Sequence, residues 1–158
     1  MKKVAIIGTG YAGLVSGAGL SDFGNRVICA DILIDKINLL KNGTIPIYEP
    51  GLKELVDKNV DANRLVFTTD VKKAILESEV IFIAVGTPEG DDGKADMTAV
   101  YAVANTIAEN INEFKIICTK STVPIGSGKT ICEIIEKYPQ NIGMYEYDNN
   151  FVFIPWNK

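Results

Sequence analysis

The chain has 158 residues, enough for one domain with a real core, and its 47% hydrophobic content excludes a disordered segment. Lys and Arg number 16 against 20 Asp and Glu, a net charge of −4 with no basic run, which argues against nucleic acid and anionic membranes as partners. No apolar stretch is long enough to span a bilayer, and the chain has no histidine to serve as general base.

Lys3–Ile7 reads as a buried strand, so close to Met1 that no secretory signal is expected ahead of it. A helix from Tyr11 to Phe23 follows, with Ala12, Gly13, Gly17 and Ala18 forming a smooth face for close packing on a sheet. Gly24-Asn25 ends it, and Arg26–Ala30 is the second strand. Ile34–Lys41 has helical spacing and stops at Asn42-Gly43. Thr44–Gly51 is a loop stiffened by two prolines, before a short helix over Leu52–Lys58.

Leu65–Thr68 is a brief strand, and Asp70 caps a helix over Val71–Leu76. Val80–Val85 is the most apolar strand and ends at Gly86-Thr87-Pro88. The loop Glu89–Asp96 leads into a helix over Met97–Asn110. Lys115–Thr119 is the next strand, its exit loop running from Lys120 to Gly126. A helix over Lys129–Lys137, a polar loop over Tyr138–Asn150 and a final strand over Phe151–Ile154 complete the pattern. The unbroken β-α alternation predicts an α/β fold, a doubly wound parallel sheet of the Rossmann type, in one domain over residues 1–158. Ligands of such sheets bind at the carboxyl ends of the strands, so the loops after Ile7, Ala30, Val85 and Thr119 carry the site.

The first of these loops has a chemistry of its own. Gly8-Thr-Gly10-Tyr-Ala-Gly13 between a strand and a helix is the dinucleotide-binding fingerprint in its proper context. Gly8 turns the chain off the strand, Gly10 lets backbone approach a pyrophosphate, and Gly13 brings the helix against the sheet. The helix N-terminus offers N–H groups and a positive dipole end to the anion. Asp31, eighteen residues beyond Gly13 at the end of the second strand, is placed to accept the ribose hydroxyls of adenosine. An acid there favours NAD over NADP, whose 2′-phosphate it would repel. Lys36, five residues on, reaches the same end and weakens that preference slightly.

Other signals are weaker. Thr87 stands where the fourth strand meets the crevice, and Thr122 lies on the next crevice loop, facing the nicotinamide side. Asp91, Asp92 and Asp96 read as a solvated turn, and no metal is expected. Gly126-Ser-Gly-Lys-Thr130 resembles the tail of a phosphate-binding P-loop. Val123 replaces its first glycine and Pro124 removes an N–H, so a nucleoside-triphosphatase is disfavoured. Cys29, Cys118 and Cys132 sit in apolar segments with neither disulfide nor metal spacing, as core residues of a cytoplasmic protein would.

Together these pieces resemble the UDP-glucose/GDP-mannose dehydrogenase family, most closely its members acting on UDP-glucose. The resemblance rests on Gly8–Val15, Gly43-Thr-Ile-Pro-Ile-Tyr-Glu-Pro-Gly-Leu52, Val85-Gly-Thr-Pro88, Asp92-Gly-Lys-Ala-Asp-Met97 and Lys120-Ser-Thr-Val-Pro-Ile-Gly126. It implies oxidation of the C6 alcohol of a nucleotide sugar to a carboxylate with two NAD in succession. It implies that Gly8, Gly10, Tyr11, Ala12 and Gly13 form the pyrophosphate turn, with Asp31 and Lys36 at the adenosine. Thr87 and Thr122 would lie near the reacting ring, Thr122 also ordering the catalytic water. The family continues into Asn-Pro-Glu-Phe-Leu, whose glutamate aids catalysis. Here Ile154 is followed by Pro155-Trp156, with Trp156 at the glutamate's place.

The family's dimerisation helix and its domain with a nucleophilic cysteine have no counterpart in these residues, so UDP-glucose binding is expected only with those parts, and the oligomeric state stays open with a homodimer as one outcome. The expected role is therefore NAD binding without turnover. The alternatives are the cofactor part of a sister enzyme acting on GDP-mannose or a UDP-N-acetylhexosamine, and a non-catalytic dinucleotide-binding module.

Overall fold

A computed structural model of the chain describes residues 1–91, 93–138, 145–148 and 151–154. Five strands form the parallel body of the sheet: β1 (Lys3–Ile7), β2 (Arg26–Ala30), β3 (Leu65–Thr68), β4 (Val80–Ile83) and β5 (Lys115–Thr119). Two more, β6 (Tyr145–Asp148) and β7 (Phe151–Ile154), extend it, giving the order β3-β2-β1-β4-β5-β7-β6. The helices are α1 (Tyr11–Asp22), α2 (Ile34–Lys41), α3 (Leu52–Asp61), α4 (Val71–Glu77), α5 (Thr98–Asn110) and α6 (Ser127–Glu136).

The central strand shows why helices cover both faces. Side chains alternate along β1, so Val4 and Ile6 enter one apolar cluster while Ala5 and Ile7 enter the other. The first cluster takes Leu14 and Ala18 of α1, Ile37 and Leu40 of α2, and Leu52 and Val56 of α3. The second takes Ala74 and Ile75 of α4, Val100, Ala104 and Ile107 of α5, and Ile131 and Ile135 of α6. Both faces of β1 are buried, as a parallel sheet requires.

Local sequence explains the edges of these elements. Asp70 Oδ1 accepts a hydrogen bond from Lys73 N at 2.8 Å and so caps α4 as expected. At the other end of that helix, fully buried Lys115 donates from Nζ to Ser78 O at 2.5 Å. Burial depresses the Lys115 pKa, and Glu113, 3.5 Å away, opposes the shift. A cation at a helix C-terminus answers its exposed carbonyls.

The expected doubly wound parallel sheet forms over five strands, and β7, antiparallel to β5, and β6, antiparallel to β7, extend it. One expectation is corrected. The polar segment expected as loop from Tyr138 to Asn150 contains β6, whose alternation Tyr-Glu-Tyr-Asp carries too few apolar residues to announce a strand. Smaller shifts lengthen α3 to Asp61 and start α6 at Ser127, where Gly126 at φ +90° forms its N-cap. Asp92 and Trp156 lie outside the described residues.

Candidate cofactor site

The chain builds β1, β2 and β3 outward in one direction and then crosses back to place β4 on the other side of β1. The crevice this reversal opens lies at the carboxyl ends of β1 and β4, where open α/β sheets bind ligands. A cleft of about 700 Å³ occupies it, lined by Gly8, Gly10, Asp31, Leu33, Lys36 and Val85 among others.

The glycine turn forms the floor. Gly8 adopts φ +104°, and a Cβ there would lie 2.5 Å from Ala84 O, so both conformation and space demand glycine. A Cβ on Gly13 would come within 2.0 Å of Gly8 O, which lets α1 press against the turn that precedes it. Gly10 differs: nothing lies within 4 Å of its Cβ direction. Packing does not require that glycine, and the open space leaves room for a ligand to meet backbone. No side chain caps α1 and no acid stands in its first turn, so the N–H groups at its start keep their positive field for an anion.

Asp31 forms the far wall. It is 9% exposed, and its Oδ2 accepts from Thr9 N at 2.9 Å, Thr9 Oγ1 at 2.7 Å and Lys36 Nζ at 3.3 Å. Among the described residues Oδ1 accepts from Leu33 N alone, at 3.1 Å. A carboxylate oxygen carries two acceptor directions, so Oδ1 keeps one for a ribose hydroxyl while Oδ2 is saturated. Burial pushes the Asp31 carboxyl up, but the bonds from Thr9 and Leu33 and the Lys36 charge together hold it below the ordinary carboxylate range. It is therefore ionised at neutral pH, an acceptor only.

Thr9 was not singled out from the sequence. It is fully buried between the two glycines, and its hydroxyl fixes the acid at the end of the next strand. A hydroxyl residue inside the fingerprint was the available signal.

Lys36 lines the cleft, but its ammonium rests against Asp31, so it orients and screens that carboxylate. Tyr11 and Ala12 begin α1 beside the cleft. The Tyr11 hydroxyl donates to Glu49 Oε2, which ties the proline-stiffened Thr44–Gly51 segment to the start of α1 and raises the phenol pKa.

The other two threonines are brought together as one unit. Thr87 Oγ1 donates to Thr122 O at 2.9 Å, and Ser121 Oγ donates to Val85 O at 2.7 Å, so the exit loops of β4 and β5 are stitched across the crevice mouth. Thr122 itself is exposed, and neither threonine lines the cleft around Gly10 and Asp31. Cys29, Cys118 and Cys132 are buried, and burial alone pushes the Cys29 thiol up to about 12. The described residues include no group of three or more His, Cys, Asp or Glu able to hold a metal, and none of their helices is long and apolar enough to cross a membrane.

Known proteins share this arrangement. UDP-glucose 6-dehydrogenase TuaD of Bacillus subtilis is 54% identical over 148 residues, which are 94% of this chain and 32% of that protein. A UDP-glucose 6-dehydrogenase of Rhizobium meliloti is 52% identical over 85% of this chain and 31% of its own length. The chain thus spans about a third of the length of these relatives. Among solved structures, a UDP-glucose dehydrogenase from Pyrobaculum islandicum superposes with a TM-score of 0.86 at 28% identity, covering 95% of this chain and 37% of that one. A GDP-mannose dehydrogenase from Pseudomonas aeruginosa gives 0.80 at 36% identity, covering 85% and 32%. The signature described as "UDP-glucose/GDP-mannose dehydrogenase family, NAD binding domain" runs over residues 2–155 and so takes in every strand of the sheet. The chain belongs to the UDP-glucose/GDP-mannose dehydrogenase family, of which it forms the NAD-binding domain.

Proposed function

We propose that this chain supplies the cofactor half of a UDP-glucose 6-dehydrogenase, holding NAD while UDP-glucose is oxidised to UDP-glucuronate. The observation that carries the reading is the pairing of an open, uncapped helix N-terminus at Gly10 with the half-satisfied Asp31 carboxylate. One receives a diphosphate and the other a vicinal diol. The 54% and 52% identities to UDP-glucose 6-dehydrogenases favour UDP-glucose over the sister substrate.

In this proposal the backbone at Gly10, Tyr11, Ala12 and Gly13 holds the pyrophosphate, and Gly8 provides the bend that aims it. Asp31 Oδ1 accepts from the adenosine ribose, and Lys36 keeps the carboxylate ionised and in place. NAD, when bound, supplies the hydride acceptor for alcohol oxidation. Thr87 holds the exit loop of β5 through Thr122 O, and Thr122 presents its hydroxyl where the catalytic water is ordered. The nucleotide sugar and the nucleophilic thiol belong to further chain, so the 158 residues alone bind NAD without turnover. The family reading also gives a homodimer in the cytoplasm.

Titration of the purified chain with NAD and NADP tests the cofactor part. Saturable NAD binding with a clear preference over NADP supports it; no binding at millimolar NAD contradicts it. Linking the chain to the remaining two thirds of a UDP-glucose 6-dehydrogenase and assaying UDP-glucose against GDP-mannose tests the substrate.

A further inference from the structure

The glycine turn is held from both sides by acids that belong to later elements. Thr9 is bonded to Asp31 at the tip of β2, and the Tyr11 hydroxyl donates to Glu49 Oε2, just ahead of α3. Gly10 stands between the two, with open space where a Cβ would point. Glycine has the least restrained backbone, so the direction of the N–H groups after it depends on what holds its neighbours. Helix geometry leaves the N–H groups of Tyr11, Ala12 and Gly13 without partners inside α1. These are the donors assigned above to the diphosphate.

Packing does not hold Tyr11. The residue is 56% exposed and belongs to neither apolar cluster, so the bond to Glu49 supplies the restraint that packing does not. Glu49, by contrast, stands on a firm base. Its carbonyl accepts from Leu52 N at 3.1 Å, Pro50 restricts the backbone after it, and Gly51 at φ +80° is the N-cap of α3. Leu52 and Val56 of that helix are buried in the cluster that also takes Leu14 of α1. The packing that joins α1 to α3 therefore also carries the carboxylate to the start of α1. Neither Tyr11 nor Glu49 lines the cofactor cleft, so their bond keeps the ring beside the opening and leaves the space at Gly10 clear.

We propose that Glu49 is a positioning residue for the cofactor's diphosphate: through the Tyr11 hydroxyl it fixes the first turn of α1, as Asp31 does through Thr9. The proposal rests on the reading that NAD is held at Gly10–Gly13. A Tyr11 ring released from Glu49 turns among its staggered rotamers and crosses the opening at Gly10, and binding then carries the cost of ordering it.

The test is titration of the chain with NAD, ADP-ribose and adenosine in the parent, Glu49→Ala, Tyr11→Phe, the double variant and Glu49→Gln. NAD and ADP-ribose carry the diphosphate, whereas adenosine reports the Asp31 end alone. Each single variant, Glu49→Ala or Tyr11→Phe, is expected to weaken NAD and ADP-ribose by about three- to tenfold, the worth of one hydrogen bond, and to leave adenosine within about twofold. The double variant loses no more than a single one, because both changes remove the same bond. Glu49→Gln keeps an acceptor for the Tyr11 hydroxyl and recovers most of the affinity. Retained adenosine binding shows that the variants fold. Unchanged or tighter NAD binding in Glu49→Ala, additive losses in the double variant, equal losses for adenosine, or a Glu49→Gln variant as weak as Glu49→Ala would each overturn the proposal. A parent that binds adenosine but neither NAD nor ADP-ribose overturns the diphosphate reading and the proposal with it.

Discussion

Thr9 and Asp31 are joined twice: the Thr9 backbone N–H and hydroxyl both donate to Asp31 Oδ2, at 2.9 and 2.7 Å. The residue between the first two glycines of the turn therefore fixes the acid at the tip of the neighbouring strand. The turn after β1 and the tip of β2 are thus tied directly to each other.

Replacing Thr9 by Val removes the short hydroxyl bond and leaves Asp31 Oδ2 with Thr9 N and the longer Lys36 contact. Stability falls by about 1.5–3 kcal/mol, the range for a buried hydrogen bond to a charged group. NAD affinity falls with it as Asp31 loosens. Thr9→Ser restores both. Urea unfolding and calorimetric titration of the two variants check this.

The pH dependence follows from the depressed Asp31 pKa. A carboxyl whose folded pKa lies below its unfolded value adds stability that is complete above the unfolded value of about 3.9 and fades as pH falls through the folded one. The parent should lose stability on acidification below about pH 4 more steeply than Asp31→Asn. Curves for the two proteins that run parallel through that window would contradict the account.

Gly10 and Gly13 should respond oppositely to alanine. Gly13→Ala drives a Cβ against Gly8 O and costs about 1–3 kcal/mol or more, as overpacking does. Gly10→Ala meets only open space, so stability stays within about 0.5 kcal/mol of the parent while NAD binding weakens. Thermal melts paired with NAD titrations separate the two.

The Cys29 thiol, held near 12 by burial, has no thiolate to offer at neutral pH. It should resist iodoacetamide in the folded chain and react once denaturant is added. Mass-spectrometric mapping of the alkylated peptide checks this, and rapid modification of native Cys29 would be the contrary result.

Much of the site was legible in the sequence because its parts are local. Gly8, Gly10 and Gly13 lie within one turn, and Asp31 ends a strand whose register with β1 is set by a single crossover. Thr87 and Thr122 were each placed on a crevice loop, yet their hydrogen bond depends on β4 and β5 pairing, which only the fold supplies. Thr9 was passed over because a threonine between glycines carries no periodic signal. β6 was missed because its polar alternation carries no strand signal, and the direction of β7, itself expected as a strand, depends on a pairing with β5 that only the fold supplies.

The most direct measurement is calorimetric titration of NAD and NADP into the parent chain and Asp31→Ala. The account predicts that the parent binds NAD at least about tenfold tighter than NADP, since a 2′-phosphate would face an ionised carboxylate and displace its hydroxyl contact. In Asp31→Ala, NAD weakens and the preference collapses. A parent that binds both cofactors equally, or an Asp31→Ala variant with unchanged NAD affinity, would contradict it.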